Sequence, residues 1–132
     1  MTEFDTVEKI SVWLTETGAL SEALLDELSL TRFGYSAHAV FTQVIDRHGR
    51  VLDEPFQVSF DFEAIGGLTM HGALTARMLA HPEEINWGLS EVALVRVLRT
   101  ETGVRFEALW EGDRKVEVTC QRVTLTTPNG SE

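Results

Sequence analysis

The sequence predicts an α+β domain that is mostly β: an antiparallel sheet of about five or six strands, as a meander, half-barrel or sandwich, with an N-terminal helix and a short middle helix. Three observations predict it. Apolar residues recur at helical spacing near the N-terminus, they alternate with polar residues at period two from Phe33 onward, and turn-forming residues separate the alternating stretches. At 132 residues the chain can bury one core without a disulfide or metal to hold it, so residues 1–127 read as a single globular domain and 128–132 as a flexible tail.

Over residues 4–17, Phe4, Val7, Ile10, Trp13 and Leu14 recur at three- and four-residue spacing and give a helix with one apolar face. Asp5 or Thr6 can accept its first free backbone N–H groups, and Gly18 can close it in a left-handed conformation. Ser21 is positioned to cap a second short helix with Leu24, Leu25 and Leu28 on one face, although the same run also leads directly into a strand.

From residue 33 the period is two: Phe33, Tyr35, Ala37, Ala39 and Phe41 point one way, and Arg32, Gly34, Ser36, His38 and Thr42 the other. Asp46-Arg47-His48-Gly49 is a turn. Beyond it Phe56, Val58, Phe60 and Phe62 alternate with Gln57, Ser59, Asp61 and Glu63, and the two strands pair as a long antiparallel hairpin. Gly66-Gly67 interrupts the pattern. Ala73, Leu74, Ala76, Met78, Leu79 and Ala80 favour the middle helix, with a strand over 68–74 as the competing reading, and Pro82 starts a further helical turn that Gly88 ends. The last third reads as three strands, 90–99, 103–111 and 114–126. In the last of them the inward phase passes from Val116, Val118 and Cys120 to Val123 and Leu125, which predicts a β-bulge near Gln121-Arg122. Phe33, Phe41, Phe60, Phe62, Phe106 and Trp110 are the expected core, with the first helix over a sheet face or an open edge.

Charge narrows the function. Lys and Arg number 11 against 21 Asp and Glu, a net charge of −10, which argues against nucleic acid or an anionic membrane as partner and admits a basic protein. No apolar stretch approaches the ~20 residues of a membrane span, and the N-terminus is acidic and amphipathic. Cys120 is the single cysteine, so neither an intramolecular disulfide nor a cysteine zinc cluster can form within one chain. The cytoplasm is the expected location.

Chemistry-bearing motifs are sparse. His38, His48, His71 and His81 lack the spacing that puts two ligands on one helix face. Cys120 shares the inward face with Val116 and Val118, as a small buried apolar residue would. Ser59, Ser90 and Thr119 lie in no nucleophile elbow, and Gly66-Gly67 matches neither phosphate-loop nor dinucleotide-loop spacing. No catalytic, metal or cofactor residue is therefore expected. Asp61 with Glu63, and Glu107 with Glu111, share strand faces as a hydrolytic carboxylate pair would, but at solvated positions. Together with Glu117 these five would form one negative surface for a basic partner if their strands were neighbours. Trp87, between a helical turn and a strand, is either an exposed contact anchor or a packing residue.

The stretch Asn86-Trp87-Gly88-Leu89-Ser90-Glu91-Val92, with Leu109-Trp110-Glu111 and Val116-Glu117-Val118-Thr119-Cys120, resembles small β-rich immunity-protein-like families of bacterial toxin systems and related uncharacterised bacterial domains. The likeness runs from Leu24 to Leu125 and lies in the order of elements. It implies a protein that neutralises a toxin by binding it, with no chemistry of its own, and carries over no individual contact residue. Two other readings compete: a small-molecule-binding or enzyme domain with an apolar pocket lined by Phe33, Phe41, Phe60, Phe62 and Phe106, and a homodimer joined through an exposed strand edge.

Overall fold

A computed structural model describes residues 1–46, 48–72, 80, 92–110 and 114–128. Helix α1 spans Val7–Thr17: Thr6 Oγ1 accepts the Lys9 N–H at 3.1 Å, and Gly18 (φ 89°) closes the other end by donating to Leu14 O. Val7, Ile10, Trp13 and Leu14 are its buried stripe. The helix starts three residues later than its spacing suggests, because Phe4 ends a short strand, β1 (Thr2–Phe4), and packs its ring 6.4 Å from that of Trp13.

Where a second helix was expected, the chain forms strand β2 (Leu24–Thr31). Gly18, Ala19, Leu20 and Glu22 all have positive φ, which breaks helical propagation ahead of the leucines, and pairing with the next strand satisfies the backbone instead. Burial of Leu20 holds this strained segment. So do hydrogen bonds to the strand that begins at Val92: Glu22 N to Val92 O, Val92 N to Ala23 O and Val95 N to Ala19 O.

Strand β3 (Ser36–Ile45) likewise begins later than the alternation implies. Thr31 and Ser36 are register partners across the β2–β3 hairpin, so residues 32–35 must reverse the chain, and Arg32–Gly34 form a 3-10 turn. Phe33 is thereby fully exposed instead of inward, and the five-phenylalanine core loses one member. Strand β4 (Val51–Glu63) pairs with β3; its Pro55 falls outside the stretch 59–63 that meets a second neighbour, where a missing N–H costs no ladder bond. Then follow β5 (Gly67–His71), which bears out the strand reading over residues 68–71, β6 (Val92–Thr100), β7 (Gly103–Trp110), β8 (Lys115–Cys120) and β9 (Arg122–Thr127). The expected middle helix, apart from Ala80, and the turn begun by Pro82 lie outside the described residues, as does the tail beyond Pro128.

These strands make two antiparallel sheets instead of one, with orders β1-β9-β4-β3-β2 and β5-β8-β7-β6. The phase change after Cys120 marks the place where the chain leaves one sheet for the other: Gln121 separates β8 from β9, so Cys120 and Val123 both face inward. The β4–β5 connection crosses at the same place, with Gln121 N donating to Glu63 O at 3.0 Å and Gly66 N to Thr119 O at 2.7 Å, so hydrogen bonding runs on around the corner. Gly103 is held against that corner; a Cβ there would lie 2.3 Å from Cys120 O.

The inner faces meet through aromatic rings. Phe106 of the four-stranded sheet lies 4.9 Å from both Phe60 and Phe62 and 6.2 Å from Phe41, all on the five-stranded sheet. Helix α1 covers the open edge of β6. Ser11 Oγ donates to Val97 O, and Glu8 pairs with Arg99 through two hydrogen bonds of 2.6 and 2.9 Å.

Candidate functional site

The outer face of the five-stranded sheet is polar because period two puts every second residue of four strands there. Register aligns Ser36 with Glu63, His38 with Asp61, Asp61 with Thr124, and Ser59 with Thr126, which in turn faces Glu3. The face is dished into a concavity of about 360 Å³, whose lining includes Glu3, Asp61, Glu63, Ser36, Thr124 and Thr126, with Thr31 and Arg32 at the end where the β2–β3 turn rises.

The charged groups in it are cross-linked. His38 Nδ1 lies 2.7 Å from Asp61 Oδ1. Glu63 meets Arg122 at 3.1 Å and Arg32 at 3.5 Å, and the Arg32 guanidinium also sits 4.7 Å from the centre of the Tyr35 ring. Glu3 makes no ion pair among the described residues. Ser36 is 7% exposed, and its hydroxyl has no hydrogen-bond partner. Above the concavity the turn carries Phe33, fully exposed, and Tyr35, about half exposed; Arg32 (φ 53°) and Phe33 (φ 58°) both adopt left-handed backbone conformations.

Nucleophilic catalysis needs a hydroxyl or thiol bonded to a base. The Ser36 hydroxyl is unbonded, and Ser29, register partner of His38, donates to Glu27 at 3.0 Å. Cys120 is buried on the inner face, where desolvation pushes its thiol up to about 11. Among the described residues, no group of three or more His, Cys, Asp or Glu is arranged to hold a metal ion, and no helix is long and apolar enough to cross a membrane. Phe41, Phe60, Phe62 and Phe106, expected by one reading to line an apolar pocket, are buried against one another.

Of the acidic residues singled out in the sequence, Asp61 and Glu63 lie in this concavity, whereas Glu107 and Glu117 do not join them. The latter face each other across β7 and β8 on the outer side of the other sheet. There they sit among cations: Arg96 is 2.5 Å from Glu107, Arg105 lies 3.5 Å from Glu107 and 3.8 Å from Glu117, and Lys115 is 3.5 Å from Glu117. Three positive groups against two carboxylates make no negative surface. Glu111 and Trp87 fall outside the described residues. Sequence reasoning missed Glu3, Ser36, Thr124 and Thr126, since only register brings them together, and it missed the turn, where Gly34 between two aromatic residues was the available signal.

Comparison with protein-family models, with curated proteins and with solved structures found no match to this chain.

Proposed function

We propose that this chain is a non-enzymatic protein-binding domain whose contact surface is the outer face of the five-stranded sheet together with the β2–β3 turn. The observation that carries the reading is Phe33. A left-handed conformation at a non-glycine residue costs on the order of 1–3 kcal/mol, and it persists where something over-determines it. Phe33 is fully exposed, so no packing within the chain repays that cost at its side chain. The β2–β3 pairing, which makes residues 32–35 reverse, holds the backbone there, and an exposed aromatic beside polar and charged groups is the composition of an interface anchor with its rim.

The net charge of −10 and Glu3, which meets no cation among the described residues, favour a basic partner. The immunity-like resemblance supports the more specific reading: a cytoplasmic bacterial inhibitor that neutralises a basic toxin by occupying it, without a cofactor and without a reaction of its own.

The test is affinity capture from the source cell's lysate with the wild-type chain and Phe33→Ala, at low and high salt, read by mass spectrometry. A basic protein retained by the wild type, released by salt and lost with Phe33→Ala is expected. Equal capture by both forms removes the turn from the interface. Light scattering on the same samples should show a monomer; a dimer abolished by Phe33→Ala would instead assign this surface to a second copy of the chain.

A further inference from the structure

We infer that the concavity on the five-stranded sheet is the receptor for one cationic side chain, an arginine or a lysine, that the protein partner inserts. The inference rests on the binding reading above and names what the site recognises.

Three features converge on a cation. The first is charge. Three carboxylates, Glu3, Asp61 and Glu63, line the concavity; Glu63 is shared by Arg32 and Arg122 and Asp61 meets His38, whereas Glu3 is unengaged by any cation among the described residues. A carboxylate or phosphate guest would meet repulsion from Glu3, and a neutral guest would leave the Glu3 charge unused.

The second is the Ser36 hydroxyl. It belongs to a residue that lines the concavity and is only 7% exposed, and it has no partner. A buried hydroxyl left unbonded is a standing cost that an N–H donor removes, and both a guanidinium and an ammonium bring several such donors to one point.

The third is a resident example of the same chemistry. Arg32 already lies between the Tyr35 ring, at 4.7 Å, and the Glu63 carboxylate, at 3.5 Å. A guanidinium held between an aromatic face and a carboxylate is a recurrent recognition mode for arginine, and here the rim of the concavity supplies both halves. Arg32 reaches this position from a left-handed backbone. It is therefore both a demonstration of the recognition chemistry and a competitor: an incoming cation shares Glu63 with it, or displaces it.

This competition gives a signature that a structural role cannot imitate. The probes are N-acetyl-arginine methylamide, its lysine counterpart and its citrulline counterpart, the last being a neutral near-isostere of arginine. Each is titrated into the intact chain while backbone amide shifts are followed by NMR. Saturable shifts at Ser36, Asp61, Glu63 and Thr124 with the arginine or lysine probe, and none with citrulline, are expected. Glu3→Gln, which breaks no ion pair, should weaken arginine binding severalfold, and Asp61→Asn about tenfold. Arg32→Gln should strengthen it by about twofold to fivefold, because it removes one of the two cations that compete for Glu63. The same spectra report whether each variant remains folded.

Equal shifts with citrulline, no saturation with any probe, or weaker binding in Arg32→Gln would each overturn the inference. Failure here is distinguishable from failure of the binding reading: a captured partner sensitive to Phe33→Ala with no cation effect leaves the interface standing without its receptor. A cation effect with no captured partner leaves the receptor without the interface.

Discussion

At the scale of single residues, two side chains in unfavourable circumstances mark the candidate site, and neither was legible from pattern alone. Ser36 continues a clean alternation with His38 and Thr42, so its outward face could be read, but an outward serine is ordinarily solvated, and this one is buried. Phe33 fits the same alternation and was read as core, because period two has no means of showing that Thr31 and Ser36 pair and leave four residues to reverse the chain. If the Ser36 hydroxyl is kept for binding, removing it should help the fold. Ser36→Ala is expected to raise unfolding stability by about 1 kcal/mol, because the buried unbonded oxygen disappears, while cation binding in the concavity weakens. Urea unfolding checks the first half, and a loss of stability of similar size would show that the hydroxyl is satisfied in solution.

At the scale of elements, helix α1 was the most legible piece: apolar spacing, the Thr6 cap and the Gly18 stop each act locally, so each could be read locally. The edge it protects was less so, since nothing near residue 8 announces residue 99. The Glu8–Arg99 pair ties the first turn of α1 to β6, and the Arg99 guanidinium holds the Glu8 carboxyl down at about 2 against its ordinary 4.5. With the folded value depressed, the carboxylate favours the folded state above about pH 4.5, and this contribution disappears as pH falls through about 2. Both groups are solvent-exposed, so the effect is small and screened by salt. Glu8→Gln should therefore be slightly less stable than wild type at neutral pH and indistinguishable from it near pH 2. Thermal unfolding of both proteins across that range, at low and high salt, measures the convergence; parallel curves would mean that the pair contributes nothing to the attachment of α1.

At the scale of the whole molecule, the class of fold was readable and the partition into two sheets was not. The alternation that assigns Glu107 and Glu117 to an outer face also assigns Asp61 and Glu63 to one, and the pattern is identical whether or not the faces coincide. The decisive residue, Gln121, left only a phase slip that an ordinary bulge would also produce. Once the chain turns that corner, the acidic charge divides: the Glu107 and Glu117 side is neutralised by arginine and lysine, and the concavity holds Asp61 and Glu63 in ion pairs beside Glu3, which has none among the described residues. What holds the two sheets together is then chiefly apolar contact between inner faces. Of the four rings clustered there, Phe106 is the one contributed by the four-stranded sheet, touching Phe41, Phe60 and Phe62 at once. Phe106→Ala removes all three contacts and leaves a cavity, so a loss of about 3–5 kcal/mol is expected, a large share of the 5–15 kcal/mol typical of a domain. Because hydrogen bonds carry on from one sheet to the other at the corner, the two sheets should still unfold together, with one transition at a lower denaturant midpoint. Separate transitions for tryptophan fluorescence and far-ultraviolet circular dichroism would mean that the rings, and not the shared backbone ladder, make the sheets one cooperative unit.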